Sequence, residues 1–159
     1  MNTKTLVLGL GNDLLSDDAV GILAARKLKE ECGDQAEVIE SSLSGLALLE
    51  LFVGFEKAII IDAIQTGKSS PGTIYELKPA DLGSVFAPSP HYTGLPELLA
   101  LAKELELDFP LEIRIFAMEV ADPHTIGGGL TGPVAGAFGN LIDKVKGQLH
   151  DWEMAAINA

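Results

Sequence analysis

The chain has 159 residues, 47% of them hydrophobic, which is enough for one domain with its own core. Its net charge of −12 argues against a nucleic-acid or anionic membrane partner, because only eleven Lys and Arg are available for a basic patch. Its single cysteine, Cys32, excludes a disulfide framework or a cysteine-based zinc cluster within one chain, so we assign Cys32 to packing.

At the N-terminus, residues 1–4 lead directly into a predicted strand, Thr5–Leu8, without the apolar region of a signal peptide. No apolar run reaches the ~20 residues that span a bilayer, so we expect a cytoplasmic protein with no membrane partner. A glycine-rich turn follows, and apolar residues at helical spacing then predict a helix that begins near Asp17 or Asp18. A helix cap explains one acid at this position, but it explains two adjacent acids less well.

The remaining elements alternate as in an α/β domain. We predict strands at Ala36–Glu40, Lys57–Asp62, Thr73–Leu77 and Leu111–Met118, and helices at Leu46–Phe52, Leu95–Leu105 and from Thr131 or Gly132 to Leu149. The fourth strand follows the third too closely for a crossover helix, so it should be antiparallel and at or near the sheet edge. The predicted fold class is therefore α/β, with a mostly parallel five-stranded sheet, one antiparallel strand and helices on both faces. We expect one domain over residues 1–150 and a tail, 151–159, that frays or forms a weak helical extension.

Three known motifs begin like the turn after the first strand, and none of them fits. Gly9-Leu10-Gly11 could open a dinucleotide fingerprint, but Leu14 replaces the third glycine and the acids that follow would repel a pyrophosphate. A P-loop is excluded because no Gly-Lys-Ser/Thr follows the strand. The four residues from Gly9 to Asn12 also resemble the start of peptidyl-tRNA hydrolases, but the rest of that pattern is missing and an acidic chain does not suit tRNA.

Three groups with metal-binding chemistry stand after strands or in a long loop. They are the carboxylate of Asp17 or Asp18, the carboxylate of Asp62 at the end of the third strand, and His91 in a proline-rich segment. In open α/β sheets, ligands bind outside the carboxyl ends of the strands. Two carboxylates and an imidazole suit a divalent ion such as zinc or nickel, whose charge offsets the repulsion between the acids. Each residue also has an ordinary structural explanation, so spacing alone leaves the site open.

Motifs in a fixed order along residues 5 to about 145 resemble those of the hydrogenase maturation endopeptidases. They are Gly9-x-Gly11-Asn12-x-Leu14-x-x-Asp17-Asp18-x-x-Gly21, Ile61-Asp62-Ala63, Pro71-Gly72-Thr73, Ser89-Pro90-His91-x-x-Gly94-Leu95, and Pro123-His124 with Gly129-Leu130-Thr131. The resemblance implies a hydrolase that removes a C-terminal peptide from the precursor of a NiFe-hydrogenase large subunit after nickel insertion. In that family an acid, an aspartate and a histidine bind the metal. They match Asp18, Asp62 and His91 here.

The resemblance also implies where the precursor binds. We expect substrate contacts around the three candidate ligands, from Gly11, Asn12, Asp17, Glu40 and Gly45. The sequence around His124, Asp122-Pro123-His124, is typical of a turn, and His124 either supports a metal ligand or contacts the substrate. After the second strand the family usually has an acid, two glycines and a threonine, whereas this chain has a bulkier loop between Glu40 and Gly45 that is less permissive of positive φ. Asp18 replaces the glutamate of many members, which shortens the arm by one methylene and keeps the ligand chemistry.

Two mechanisms fit such a site. The metal activates a water for attack, or the three residues grip nickel already seated in the precursor and so test that insertion has happened. We favour the second, because two acids and one histidine without a cysteine hold a metal weakly when no substrate is bound. Nickel is then supplied by the precursor, and zinc or cadmium are other divalent ions able to occupy the site. The alternative function is a non-proteolytic metal-binding chaperone that docks on the precursor.

Overall fold

The computed structural model describes residues 4–83 and 95–158 of the chain. Its five strands are β1 (Thr5–Leu10), β2 (Glu37–Ser41), β3 (Lys57–Ile64), β4 (Ile74–Leu77) and β5 (Glu112–Glu119). Its helices are α1 (Val20–Cys32), α2 (Leu49–Phe52), α3 (Leu95–Glu104) and α4 (Gly132–Asn158). Short 3₁₀ turns lie at Asp17–Ala19, Gly45–Leu48 and Pro79–Gly83. The predicted element types are therefore confirmed, with boundaries that differ by at most three residues except at the end of α4, which continues past the predicted Leu149 to Asn158.

The strands form one sheet in the order β2-β1-β3-β5-β4. β1, β2, β3 and β5 pair in parallel, and β4 lies antiparallel to β5 at the sheet edge, as predicted. Since β2 and β3 lie on opposite sides of β1, the winding of the chain reverses between β1 and β3. In sheets of this class, ligands bind in the crevice at the carboxyl ends of the strands on either side of such a reversal.

Alternate residues of the buried strands fill a core on each face of the sheet. Val7, Ile59 and Ile61 pack against α1 and α4, while Leu8 and Ile60 pack on the opposite face with residues of α2 and α3. Burial of one such side chain stabilises the fold by about 1.5–3 kcal/mol. The double-sided core therefore fixes the strand ends from which the candidate site residues emerge.

The first helix begins later than predicted. Asp17 and Asp18 lie in a 3₁₀ turn, and α1 begins at Val20. No side-chain cap bond is made at Ser16 or Ala19, which precede the 3₁₀ turn and α1 respectively. The prediction of an acidic N-cap is wrong, because both carboxylates bind backbone amides elsewhere in the chain.

The C-terminal residues are helical and anchored. The helix α4 continues to Asn158, and Trp152 within it is 7% exposed. The indole Nε1 of Trp152 donates to Glu112 Oε2 at 3.0 Å, and Lys57 Nζ lies 5.4 Å from the ring centroid. Of the two outcomes expected for the tail, fraying or a helical extension, residues 151–158 show the helical extension, and one aromatic side chain ties it to the first residues of β3 and β5. Among the described residues, no helix is both long and apolar enough to cross a bilayer.

Candidate functional site

Three glycines bring the turn after β1 against the sheet. A Cβ on Gly9 would lie 2.2 Å from the carbonyl oxygen of Gly21, and a Cβ on Gly21 would lie 2.2 Å from that of Leu10. A Cβ on Gly11 would lie 2.1 Å from the carbonyl oxygen of Asp18, and Gly11 has a φ of +148°, which residues with a side chain rarely adopt. The start of α1 therefore rests directly on β1, with Asp18 above the carboxyl end of that strand.

Asp18 is half-buried, and its carboxylate points back to the β1–α1 turn. The Asn12 amide donates to Asp18 Oδ2 at 3.0 Å, while Asn12 Oδ1 accepts the Leu14 amide at 3.0 Å. Asn12 thus closes its own turn with its side chain and orients Asp18 with its backbone. A carboxylate offers about four lone-pair positions, so Asp18 keeps acceptor capacity for a ligand.

Asp62 lies inside β3 and is 0% exposed. The strand was predicted to end at Asp62 but continues to Ile64. Asp62 Oδ1 accepts the Ala63 amide at 2.8 Å. A Cβ on Gly21 would lie 2.5 Å from the carbonyl oxygen of Ile61. Asp18, one turn before that glycine, and Asp62, one residue after Ile61, therefore lie at the same edge of the sheet.

The third predicted ligand, His91, lies outside the described residues. Within residues 4–83 and 95–158, no three or more His, Cys, Asp or Glu side chains form a group that could hold a metal ion. The structure places Asp18 in the turn after β1 and Asp62 two residues before the end of β3. The three-ligand metal site stays a prediction.

Asp17 has surroundings quite unlike those of Asp18. It is 0% exposed, and its carboxylate accepts the amides of Ala121, Asp122 and Thr131 at 3.0, 2.9 and 2.7 Å. The Thr131 hydroxyl adds a fourth donor at 2.8 Å. Asp17 was expected to contact substrate, but its side chain is enclosed and holds both ends of the β5–α4 loop.

Backbone hydrogen bonds join the β5–α4 loop to the segment just before Asp18. The Ser16 amide donates to the Thr125 carbonyl at 2.9 Å, and the Gly127 amide donates to the Leu14 carbonyl at 2.9 Å. His124, another expected substrate contact, is exposed on this loop. The loop is therefore part of the same edge of the sheet as the two candidate ligands.

Glu40, expected to contact the precursor, is bound by an arginine of α1. Both Arg26 Nε and Arg26 Nη2 donate to the Glu40 carboxylate at 2.9 Å, and Nη2 also donates to Asp13 Oδ2 at 2.9 Å. The hydrogen bonds from Arg26 lower the pKa of Glu40 below its ordinary value. This exposed network connects β2, α1 and the β1–α1 turn, so Glu40 has a structural partner as well as a predicted role in binding.

The unusual loop after β2 forms without positive φ at its bulkier residues. Gly45 has a φ of +59°, with open space around the position of a Cβ. Glu106, far from this loop, is the one described residue other than glycine with a positive φ. The larger side chains between Glu40 and Gly45 therefore introduce no backbone strain of that kind.

Glu119 is a buried carboxylate that lies one residue beyond the strand predicted at Leu111–Met118. It ends β5 at 1% exposure and accepts hydrogen bonds from the Thr66 amide and hydroxyl, the Gly67 amide and the Tyr75 hydroxyl. Burial by itself raises the pKa of Glu119, but the hydrogen bonds from Thr66, Tyr75 and Gly67 outweigh it, and the pKa lies below its ordinary value. The signal that could have found it is an acid at the end of a buried strand, as at Asp62.

The chain matches the family model described as hydrogenase maturation protease over residues 22–156. It is 30% identical to the hydrogenase 2 maturation protease of Escherichia coli K12, over 97% of this chain and 95% of that protein. It is 27% identical to the hydrogenase expression/formation protein HupD of Rhizobium leguminosarum bv. viciae, over 96% of this chain and 77% of that protein. The solved structure of the hydrogenase maturating endopeptidase HybD from Escherichia coli superposes with a TM-score of 0.79 at 27% identity, over 93% of each chain.

Proposed function

Since the chain belongs to the hydrogenase maturation protease family and is a protease, we propose that it removes the C-terminal extension of a NiFe-hydrogenase large-subunit precursor after nickel insertion. The precursor is the proposed partner, and the reaction is expected in the cytoplasm without nucleic acid or membrane. The match to a family of proteases favours this function over a chaperone that docks without cutting.

The observation that carries the proposal is the placement of Asp18 and Asp62 at the carboxyl ends of β1 and β3, where the winding of the sheet reverses. Carboxylate and imidazole donors both suit a divalent ion of the nickel or zinc type. We propose His91 as the third ligand. It precedes α3 by four residues, and α3 begins with Leu95, which packs on the sheet face that also buries Ile60.

The role proposed for these residues is to complete the coordination of nickel that the precursor already holds. Asp18 is oriented by the Asn12 amide, and Asp62 by the Ala63 amide. Binding then depends on the metal, because an empty precursor offers nothing for the two carboxylates to bind. That lost interaction is what would restrict cleavage to the loaded precursor.

The test pairs metal analysis of the purified protein with cleavage assays on nickel-loaded and nickel-free precursor. We expect less than one equivalent of metal in the protein, release of the C-terminal peptide from loaded precursor, and no release from nickel-free precursor. Chelators too weak to strip the precursor should not inhibit.

The competing mechanism gives the opposite pattern. A protease with its own catalytic ion would purify with about one equivalent of metal, and removing and restoring that ion would switch activity off and on. Efficient cleavage of nickel-free precursor by metal-loaded protein would overturn nickel recognition and leave the membership of the protease family unchanged.

A further inference from the structure

A cavity of about 200 Å³ opens between the β1–α1 turn and the β5–α4 loop. Leu14, Ala19 and Leu23 form its apolar wall, and Gly127 and Gly129 form the opposite side. Ala19 directly follows Asp18 in the chain, so the cavity borders the turn that carries a candidate ligand.

Glycines leave the loop side of this cavity open. Gly127 and Gly129 have φ values of +78° and +69°, a region that favours glycine. A Cβ on either residue would meet no described atom within 4 Å. The space in front of both residues is therefore free of atoms from the described part of the chain. A larger residue at either position would also strain the backbone.

The charged groups at the cavity are bound to one another. Arg26 Nη2 lies 2.9 Å from Asp13 Oδ2 and 2.9 Å from Glu40 Oε1. A guanidinium shared by two carboxylates has no positive charge left over for an anion. The hydroxyl of Ser16, also in the lining, donates to the Gly129 carbonyl at 2.8 Å. The cavity is thus suited to an uncharged, apolar group.

Exposed apolar side chains adjoin the cavity on an ordered backbone. Leu14 in its wall is 67% exposed, and Ile126, next to the Gly127 wall, is 82% exposed. Leu15 and Ile126 form a β-bridge, and the Asp17 carboxylate holds both ends of the loop that carries Ile126. Because the backbone of these residues is already held, only side-chain rotamer freedom is lost when a partner covers them.

We propose that this cavity is a substrate subsite that takes one apolar side chain from an extended precursor segment beside the scissile bond. The inference rests on the proposed function. Side chains of an extended peptide alternate between two directions, so one of them enters the cavity while the backbone passes the turn that carries Asp18. The volume accommodates one side chain and is too small for a helix or a folded surface.

Steady-state cleavage of nickel-loaded precursor tests the subsite with two variants and a control. Leu23→Trp narrows the cavity from α1, and Leu14→Ser removes an exposed wall without touching the core. Leu101→Trp is the matched control, on a helical leucine of α3 that is 42% exposed and outside the cavity lining. We expect Leu23→Trp to lower kcat/KM by about ten- to hundredfold, mainly through KM, with a smaller loss for Leu14→Ser and none for the control.

Precursor variants identify the occupant. Each precursor residue near the scissile bond is replaced by alanine in turn. The replacement at one position should lower kcat/KM for the wild-type protease, and the same replacement should cause little further loss of kcat/KM for Leu23→Trp. The inference is overturned if kcat/KM of Leu23→Trp stays within about twofold of that of the Leu101→Trp control. It is also overturned if the loss caused by every substrate replacement multiplies with the loss caused by Leu23→Trp.

Failure of the proposed function would be seen separately, as no cleavage of loaded precursor by the wild-type protein. The subsite is then tested by binding alone, by comparing the affinities of wild type and Leu23→Trp for the loaded precursor. Weaker binding by the variant supports it, and equal binding overturns it.

Discussion

Two neighbouring carboxylates, Asp17 and Asp18, serve different parts of the molecule. Asp17 is fully buried and binds the β5–α4 loop through three amides and a hydroxyl. Asp18 is half-buried and accepts the Asn12 amide of the turn after β1. With three residues per turn in a 3₁₀ helix, adjacent side chains point about 120° apart. A carboxylate saturated by protein donors holds structure, whereas one with acceptor positions left can bind a ligand.

Two further buried acids, Asp62 and Glu119, lie near the carboxyl ends of β3 and β5. Glu119 accepts hydrogen bonds from Thr66 and Gly67 of the β3–β4 loop and from Tyr75 of β4. Asp62 lies nearer to β1, beside the point where the winding of the sheet reverses. The acids that anchor loops therefore flank the candidate ligands and fix the loops around them.

The largest effect is expected from replacing the candidate ligands. Asp62→Asn, Asp18→Asn and His91→Ala should each lower cleavage of loaded precursor by about a thousandfold, because each removes a charged or imidazole donor from the metal. For Asp18→Asn the melting temperature should change little, since this carboxylate is half-buried and the amide side chain keeps an oxygen for the Asn12 amide. Wild-type cleavage by Asp18→Asn would remove Asp18 from the ligand set and show that neither of the two adjacent acids binds the metal.

Asp17→Asn should act on stability first. An amide replaces one acceptor oxygen by a donor that faces backbone N–H groups, which should lower the free energy of unfolding by about 3 kcal/mol. For a chain of this length that is a fall of about 6–12 °C in melting temperature. Calorimetry measures it, with Asp143→Asn on the exposed side of α4 as the control. An unchanged melting temperature together with lost cleavage would instead give Asp17 a direct role in the reaction.

Glu119→Gln should lower the free energy of unfolding by about 2 kcal/mol at neutral pH. Because folding lowers the pKa of Glu119, the native state binds the proton less readily than the unfolded chain. The stabilisation is therefore present above the ordinary pKa of a glutamate and is lost as the pH falls through the lowered value. The free energies of unfolding of wild type and variant, measured in urea, should converge as the pH falls through that acidic range. Glu153→Gln, exposed on α4, serves as the control, and a constant gap between wild type and Glu119→Gln would contradict the assigned cause.

The sequence predicted the element types and the edge of the sheet at which Asp18 and Asp62 lie, because apolar periodicity reports burial and parallel strands bring their carboxyl ends to one edge. It could not predict the partners of Asp17, since Thr131 is 114 residues away and no local pattern marks the pair. The anchoring of Trp152 by Glu112, 40 residues earlier, was missed for the same reason. Long-range polar contacts thus decided which of two adjacent acids holds a loop.

Arg26→Gln tests whether burial or the number of hydrogen bonds decides how much a charged group stabilises the fold. Its effect on melting temperature should be smaller than that of Asp17→Asn or Glu119→Gln. Arg26 makes three charged hydrogen bonds to Asp13 and Glu40, but all three side chains are 43–47% exposed. Water and salt screen such pairs, so the melting temperature should fall by less than about 2 °C, and the difference should shrink further in about 1 M salt. The freed turn and the unpaired Glu40 should raise KM for the precursor a few-fold without changing kcat, as measured in the same cleavage assay. A fall as large as that of Asp17→Asn would show that bond number, and not burial, makes an acid structural at this edge of the sheet.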